Sequence, residues 1–127
     1  MPTVRLPGAR KNKYGARGEY VDNVYFDSQA EARRYRELKL MLASGDISGL
    51  TIHPIYHLHV PIIDGTGKFL GKEEVSTYEA DFAYWDCRKR KGVVEDVKSV
   101  ATRTALYKLK RKWLLAEYGI TIQEVEM

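Results

Sequence analysis

The sequence predicts a single α/β domain with the element order αβββαβ, a mixed central sheet flanked by helices. Three observations carry that prediction. A capped amphipathic segment opens the patterned part of the chain, three β-rich stretches follow in succession, and a second amphipathic segment precedes a short terminal strand. With 127 residues, the chain has room for one domain only, because domains typically hold about 100–150 residues.

Residues 1–20 carry glycine, proline, lysine and arginine without periodicity and read as a flexible basic arm, leaving 21–127 as the domain proper. The first helix is expected over 28–43, with Ser28 and Glu31 in capping-box spacing and Gly45 as terminator. LTIHPIYHLHV, residues 50–60, reads as one strand in which Pro54 marks a bulge or an edge. Asp64-Gly65-Thr66-Gly67 is a hairpin turn. A second strand is expected over 75–85 and a third over 93–99, joined through 86–91 as an antiparallel meander. Helical spacing returns over 102–118, with Leu106, Leu109, Trp113 and Ala116 on the apolar face and Gly119 as stop. Residues 120–125 form the last strand, which can lie parallel to the third through the helical crossover.

Hydrophobic residues at 44% and charged residues at 30% are ordinary for a globular domain. No run approaches the roughly 20 apolar residues of a membrane helix, and the N-terminal stretch lacks a signal-peptide core, so a cytoplasmic protein is expected. Cys87 is a lone thiol in a basic turn without a histidine beside it and is read as incidental. The net charge of +4 favours a polyanionic partner weakly. Its distribution says more. Basic residues gather in the arm (Arg5, Arg10, Lys11, Lys13, Arg17), in the turn Arg88-Lys89-Arg90-Lys91, and from Arg103 through Lys108 and Arg111 to Lys112. Each cluster could contact phosphates, and each could equally be a solvated face.

The chemistry lies in EADFAYW followed by VVEDVKS. Alternation on a strand points Asp96 and Lys98 the same way. An antiparallel register pairing Trp85 with Gly92 sets Asp81 opposite Asp96, and a two-residue shift sets it opposite Lys98. A one-residue slip would instead turn the apolar series Tyr78, Ala80, Phe82 and Tyr84 away from Val93 and Val97, so convergence of the three charges is the favoured arrangement. Two carboxylates crowded together raise each other's pKa unless a cation sits between them. Mg²⁺ suits such a site, since it takes a few carboxylate oxygens and can serve a phosphodiester and its attacking water. The plainer alternative is a cross-strand salt-bridge ladder.

Glu31 adds to the first reading. It lies on the stripe Glu31, Tyr35, Leu38 and Leu42 that faces the sheet, so it either completes the capping box or reaches the site as a third acid. Glu79 shares the Asp81 face, whereas Glu95 points to the opposite face and should be paired or at the rim. His53, His57 and His59 could share a strand face, but no further ligand completes a zinc site. Tyr107 is a possible base-stacking ring beside the basic helical face.

A helix acid, a lone strand aspartate and then (D/E)-x-K on the next strand resemble the PD-(D/E)XK nuclease superfamily, whose restriction-endonuclease-like core is αβββαβ. More narrowly, KYGARGEYVDNVYFDSQAEARRYRELKLM, YEADFAYW, VVEDVKS and YKLKRKWLLAEYGI resemble a small phage and prophage family assigned to that superfamily, over residues 11 to 126. Ala80 stands where the nominal motif has proline. The resemblance implies that Asp81 and Asp96, with the Val97 backbone carbonyl, ligate Mg²⁺ or substituting Mn²⁺. It further implies that Lys98 serves the water and that Glu31 is the helix-borne acid, with Lys11, Lys13, Arg17, Arg103, Lys108, Arg111 and Lys112 along the DNA.

The expected function is therefore a Mg²⁺-dependent endonuclease in phage DNA metabolism, selective for branched or Holliday-junction-like DNA by likeness to resolvases. Such resolvases are symmetric dimers, which makes a homodimer the expected assembly. No membrane and no small-molecule cofactor are expected. The rival readings are a DNA-binding or assembly module without cleavage, and a nuclease subunit active only with a partner.

Overall fold

The computed structural model describes residues 18–98 and 103–127. Its α/β core has the predicted order once two hairpins are set aside. The first hairpin pairs β1 (Glu19–Val21) with β2 (Val24–Phe26), and its turn places Asp22 and Asn23 at φ 51° and 65°, the left-handed geometry that tight hairpins require. Glu19 and Tyr20, assigned to the arm from sequence, thus belong to the domain.

Helix α1 (Gln29–Ser44) begins where Ser28 Oγ accepts the Glu31 N–H at 3.1 Å and ends at Gly45, whose φ of 82° closes the helix with its N–H on the Leu42 carbonyl. The main sheet has the order β3 (Ile47–Ile52), β6 (Phe82–Asp86), β7 (Lys91–Val97), β8 (Ile122–Val125). β3, β6 and β7 are antiparallel, and α2 (Ala105–Tyr118) carries the chain back so that β8 runs parallel to β7. Trp85 does pair with Gly92.

Two predicted strands are each broken in two. The stretch read as 50–60 divides at His53 and Pro54 into β3 and β4 (Ile55–Ile63), and the stretch read as 75–85 divides at Ala80 and Asp81 into β5 (Phe69–Glu79) and β6. The breaks face one another: the His53 N–H donates to the Asp81 carbonyl at 2.9 Å, and the Ala80 N–H donates to the Pro54 carbonyl at 3.0 Å. Both strands turn out of the sheet at the same level, and β4 and β5 continue as a separate ribbon beyond it. The turn also switches faces. Phe82 and Tyr84 join Phe26, Tyr35, Leu38 and Val93 under α1, whereas Tyr78 and Ala80 join Leu58, Tyr107, Leu114 and Ile122 under α2. The four-residue apolar series expected on one face is therefore split between two.

The inward face of α2 also differs from the predicted stripe. Tyr107 and Leu114 are buried and Trp113 packs beside them, while Leu106 and Leu109 remain 59% and 54% exposed. Hydrogen bonding selects this face. The Tyr107 hydroxyl donates to Glu124 at 2.8 Å and the Trp113 Nε1–H to the His59 carbonyl at 3.1 Å, so the large rings bury their bodies with their polar tips satisfied.

Candidate functional site

The paired breaks build the site. They leave Asp81 at the end of β6, where alternation has stopped and the carboxylate is within reach of both helical layers. Its backbone N–H donates to Asp96 Oδ1 at 2.8 Å, and its Oδ2 accepts the Val97 N–H at 2.7 Å. Asp96 is 2% exposed and accepts a second hydrogen bond from the Tyr78 hydroxyl. Lys98 Nζ stands 4.0 Å from Asp96 Oδ2 and 4.0 Å from the centre of the Tyr107 ring, which holds it by a cation–π contact.

From the other side, Glu31 in the first turn of α1 approaches Asp81 together with His53. One ligand atom from each of Glu31, His53 and Asp81 lies within 4.8 Å of the others, a cluster that can hold a metal ion. Three of the four predicted catalytic residues, Asp81, Asp96 and Lys98, thus converge, and Glu31 meets the same aspartate from the helix. The Val97 residue expected to offer a carbonyl here engages Asp81 through its N–H.

The electrostatics are those of buried acids with a further carboxylate nearby. Burial pushes the Asp81 carboxyl up to about 7, and the Glu31 charge adds to the rise against the opposing Val97 N–H, Lys98 and His53. Burial likewise raises Asp96 to about 6, although Lys98 and the Asp81 N–H favour its charged form. The Glu31 carboxylate raises the His53 imidazole above its ordinary value despite burial.

His53 is the site residue that sequence reasoning passed over. It precedes a proline, a position normally extended, yet it holds φ at 54°. The alternation of three histidines suggested a shared face that does not form. His53 faces Glu31 at 3.9 Å, His57 bonds Glu74 at 2.6 Å and His59 bonds Glu117 at 2.6 Å, three separate partners. The bent hairpin alone brings His53 to Asp81.

The predicted DNA contacts divide as well. Lys11, Lys13 and Arg17 lie outside the described residues. Arg103 is drawn to Glu126 at 2.6 Å and Glu124 at 3.4 Å, and Arg111 to Glu124 at 3.3 Å. Lys108 and Lys112 remain exposed on α2. Glu79 is exposed near the site, where its charge reaches His53, and Glu95 is fully buried under α1. A recess lined by Gly49, Trp85, Gly92 and Ile120 lies at the opposite end of β6 and β7 and contains no carboxylate.

These features define a small mixed α/β domain with an acid and histidine cluster at a kinked sheet end. The chain belongs to the family described as "Protein of unknown function (DUF1064)", whose model matches residues 11–124. No curated protein and no solved structure matches the chain. Among the described residues, no helix is long and apolar enough to cross a membrane.

Proposed function

We propose that this protein is a divalent-metal-dependent nuclease that hydrolyses phosphodiester bonds in DNA. The observation that carries the reading is the approach of Glu31 and His53 to Asp81, with one ligand atom of each within 4.8 Å of the others and with Asp96 and Lys98 on the neighbouring strand, because a buried carboxylate beside a second acid is held in its charged form when a cation joins them. The donors suit such an ion, being carboxylate oxygens with one imidazole within 4.8 Å. Bound there, Mg²⁺ or Mn²⁺ would hold a phosphodiester oxygen and lower the pKa of the attacking water.

The chain's own residues supply the rest. Asp81 and Glu31 would hold the ion, and Asp96 on β7 would support them by fixing the Asp81 backbone through its Oδ1. Two hydrogen bonds fix Asp96 and a third fixes Asp81, so the carboxylates are oriented before substrate arrives. Lys98, held against Tyr107, offsets charge developing on the phosphate oxygens and orients the water. Lys108, Lys112 and the basic N-terminal arm supply salt-sensitive backbone contacts, which position DNA without reading its sequence. Branched DNA as the substrate rests on the resolvase-like resemblance alone.

The test is cleavage of labelled linear, nicked, flapped and four-way DNA by the wild-type chain and Asp96→Ala, with Mg²⁺, Mn²⁺ or EDTA. Metal-dependent cutting that disappears in the variant supports the enzyme and identifies its substrate. Binding without cutting under every metal would replace it with the DNA-binding module or the partner-dependent subunit.

A further inference from the structure

The three histidines provide an internal comparison. His57 and His59 each close onto a glutamate at 2.6 Å, the distance of a charge-assisted hydrogen bond that leaves nothing between the partners. His53 does not close. Its Nε2 stands 3.9 Å from Glu31 Oε2, too far for a hydrogen bond, and Asp81 completes a triangle whose ligand atoms all lie within 4.8 Å. Donors about 2.0–2.2 Å from a shared ion stand roughly 3–3.6 Å apart, so a small contraction would bring all three into coordination.

The position of His53 is fixed by the fold. Its N–H is tied to the Asp81 carbonyl at 2.9 Å, and its ring packs edge-on against Phe26 at 5.7 Å between centroids. The backbone that carries it is left-handed beside a proline, an arrangement the paired strand breaks impose.

We infer that His53 is a metal ligand, and that its imidazole makes the Glu31–His53–Asp81 site favour first-row transition ions such as Mn²⁺ over Mg²⁺. Imidazole suits first-row transition ions best from Fe²⁺ to Zn²⁺, and Mn²⁺, lowest in that series and nearest to Mg²⁺ in its taste for oxygen donors, is the most demanding member on which to see the preference. This rests on the metal-dependent reading above and adds the class of ion and the residue that selects it.

The experiment is electron spin-echo spectroscopy of Mn²⁺ bound to the untagged full-length chain, with affinities measured by titration. Wild type should show ¹⁴N coupling from one imidazole, converted to ¹⁵N coupling when histidine is ¹⁵N-labelled. His53→Asn, chosen because asparagine tolerates the left-handed backbone, should lose the coupling and weaken Mn²⁺ about tenfold while Mg²⁺ affinity changes less than about twofold. Because the chain has 3 histidines, the double variant His57→Asn with His59→Asn leaves His53 alone, and coupling retained there assigns it even if His53→Asn fails to fold. Mn²⁺ bound without nitrogen coupling, or coupling that survives His53→Asn, overturns this inference and leaves the carboxylate site intact. No Mn²⁺ binding at millimolar concentration overturns both.

Discussion

Glu95 and Asp96 are neighbours on β7, both buried, and they face opposite layers with opposite fates. Glu95 points under α1, where Arg34 meets it with two hydrogen bonds of 2.7 and 3.1 Å and the Tyr84 hydroxyl adds a third at 2.7 Å. That acid has its full cation. Asp96 points under α2 and has backbone and phenol donors, but its nearest cation is Lys98 at 4.0 Å and its surroundings include the charges of Glu31 and Glu124. A buried carboxylate closed on a guanidinium is structural, whereas one left crowded with other acids keeps capacity for a further cation.

Breaking each side in turn should separate the roles. The largest effect expected is on chemistry: Asp81→Asn should reduce metal-dependent DNA cleavage on the order of a thousandfold in single-turnover assays, with the fold intact by circular dichroism. Glu95→Ala should do the reverse. It strands Arg34, whose side chain is 15% exposed, and should cost about 3–5 kcal/mol in urea unfolding. Cleavage per folded molecule should stay near wild type.

A smaller effect concerns pH without metal. The folded Asp81 carboxyl is raised to about 7 from an ordinary 3.8, so the folded chain holds that proton more tightly than the unfolded chain. Its contribution to stability is present below the ordinary value and is lost as pH rises toward 7. Thermal melts in EDTA should therefore show a Tm lower by about 5 °C at pH 8 than at pH 5. Asp81→Asn should shrink the drop to the part that Asp96 and His53, whose pKa values are also raised, still contribute, and Mn²⁺ should restore the wild-type pH 8 value. A Tm that rises over this range in wild type and variant alike would mean that Asp81 is ordinarily ionised.

The smallest effect should come from Tyr107. Tyr107→Phe keeps the ring under Lys98 and should alter kcat less than about threefold, whereas Tyr107→Leu removes the cation–π contact and should cost about tenfold. Equal losses in the two variants would assign the role to the Glu124 hydrogen bond instead.

How far the sequence could be read follows from the range of the forces involved. Asp96 and Lys98 were legible because strand alternation is a local rule, and Asp81 because the Trp85–Gly92 register formed, although the apolar series invoked to pin it is split between two faces. Ser28, Gly45 and Gly119 announced the helix ends for the same reason. The strand breaks were only half legible. Pro54 marks one, but Ala80-Asp81 contains neither proline nor glycine and bends because its partner strand does. His53 was missed as a consequence, since only that bend carries it to Asp81. On α2 Trp113 packs inward as its spacing promised, but the places expected for Leu106 and Leu109 went to Tyr107 and Leu114, with Tyr107 drawn in by an acceptor on β8 that lies far off in sequence.

Under the proposed function, the acids around Asp81 form a cation site, in contrast to the closed Glu95 pair. Titration calorimetry of Mn²⁺ in buffers of different ionisation enthalpy tests it most directly. Mn²⁺ should bind with proton release at pH 6 that fades by pH 8, unchanged in Glu95→Gln and abolished in Asp81→Asn. Absence of binding in the wild type, or binding that Asp81→Asn leaves unaltered, would contradict it.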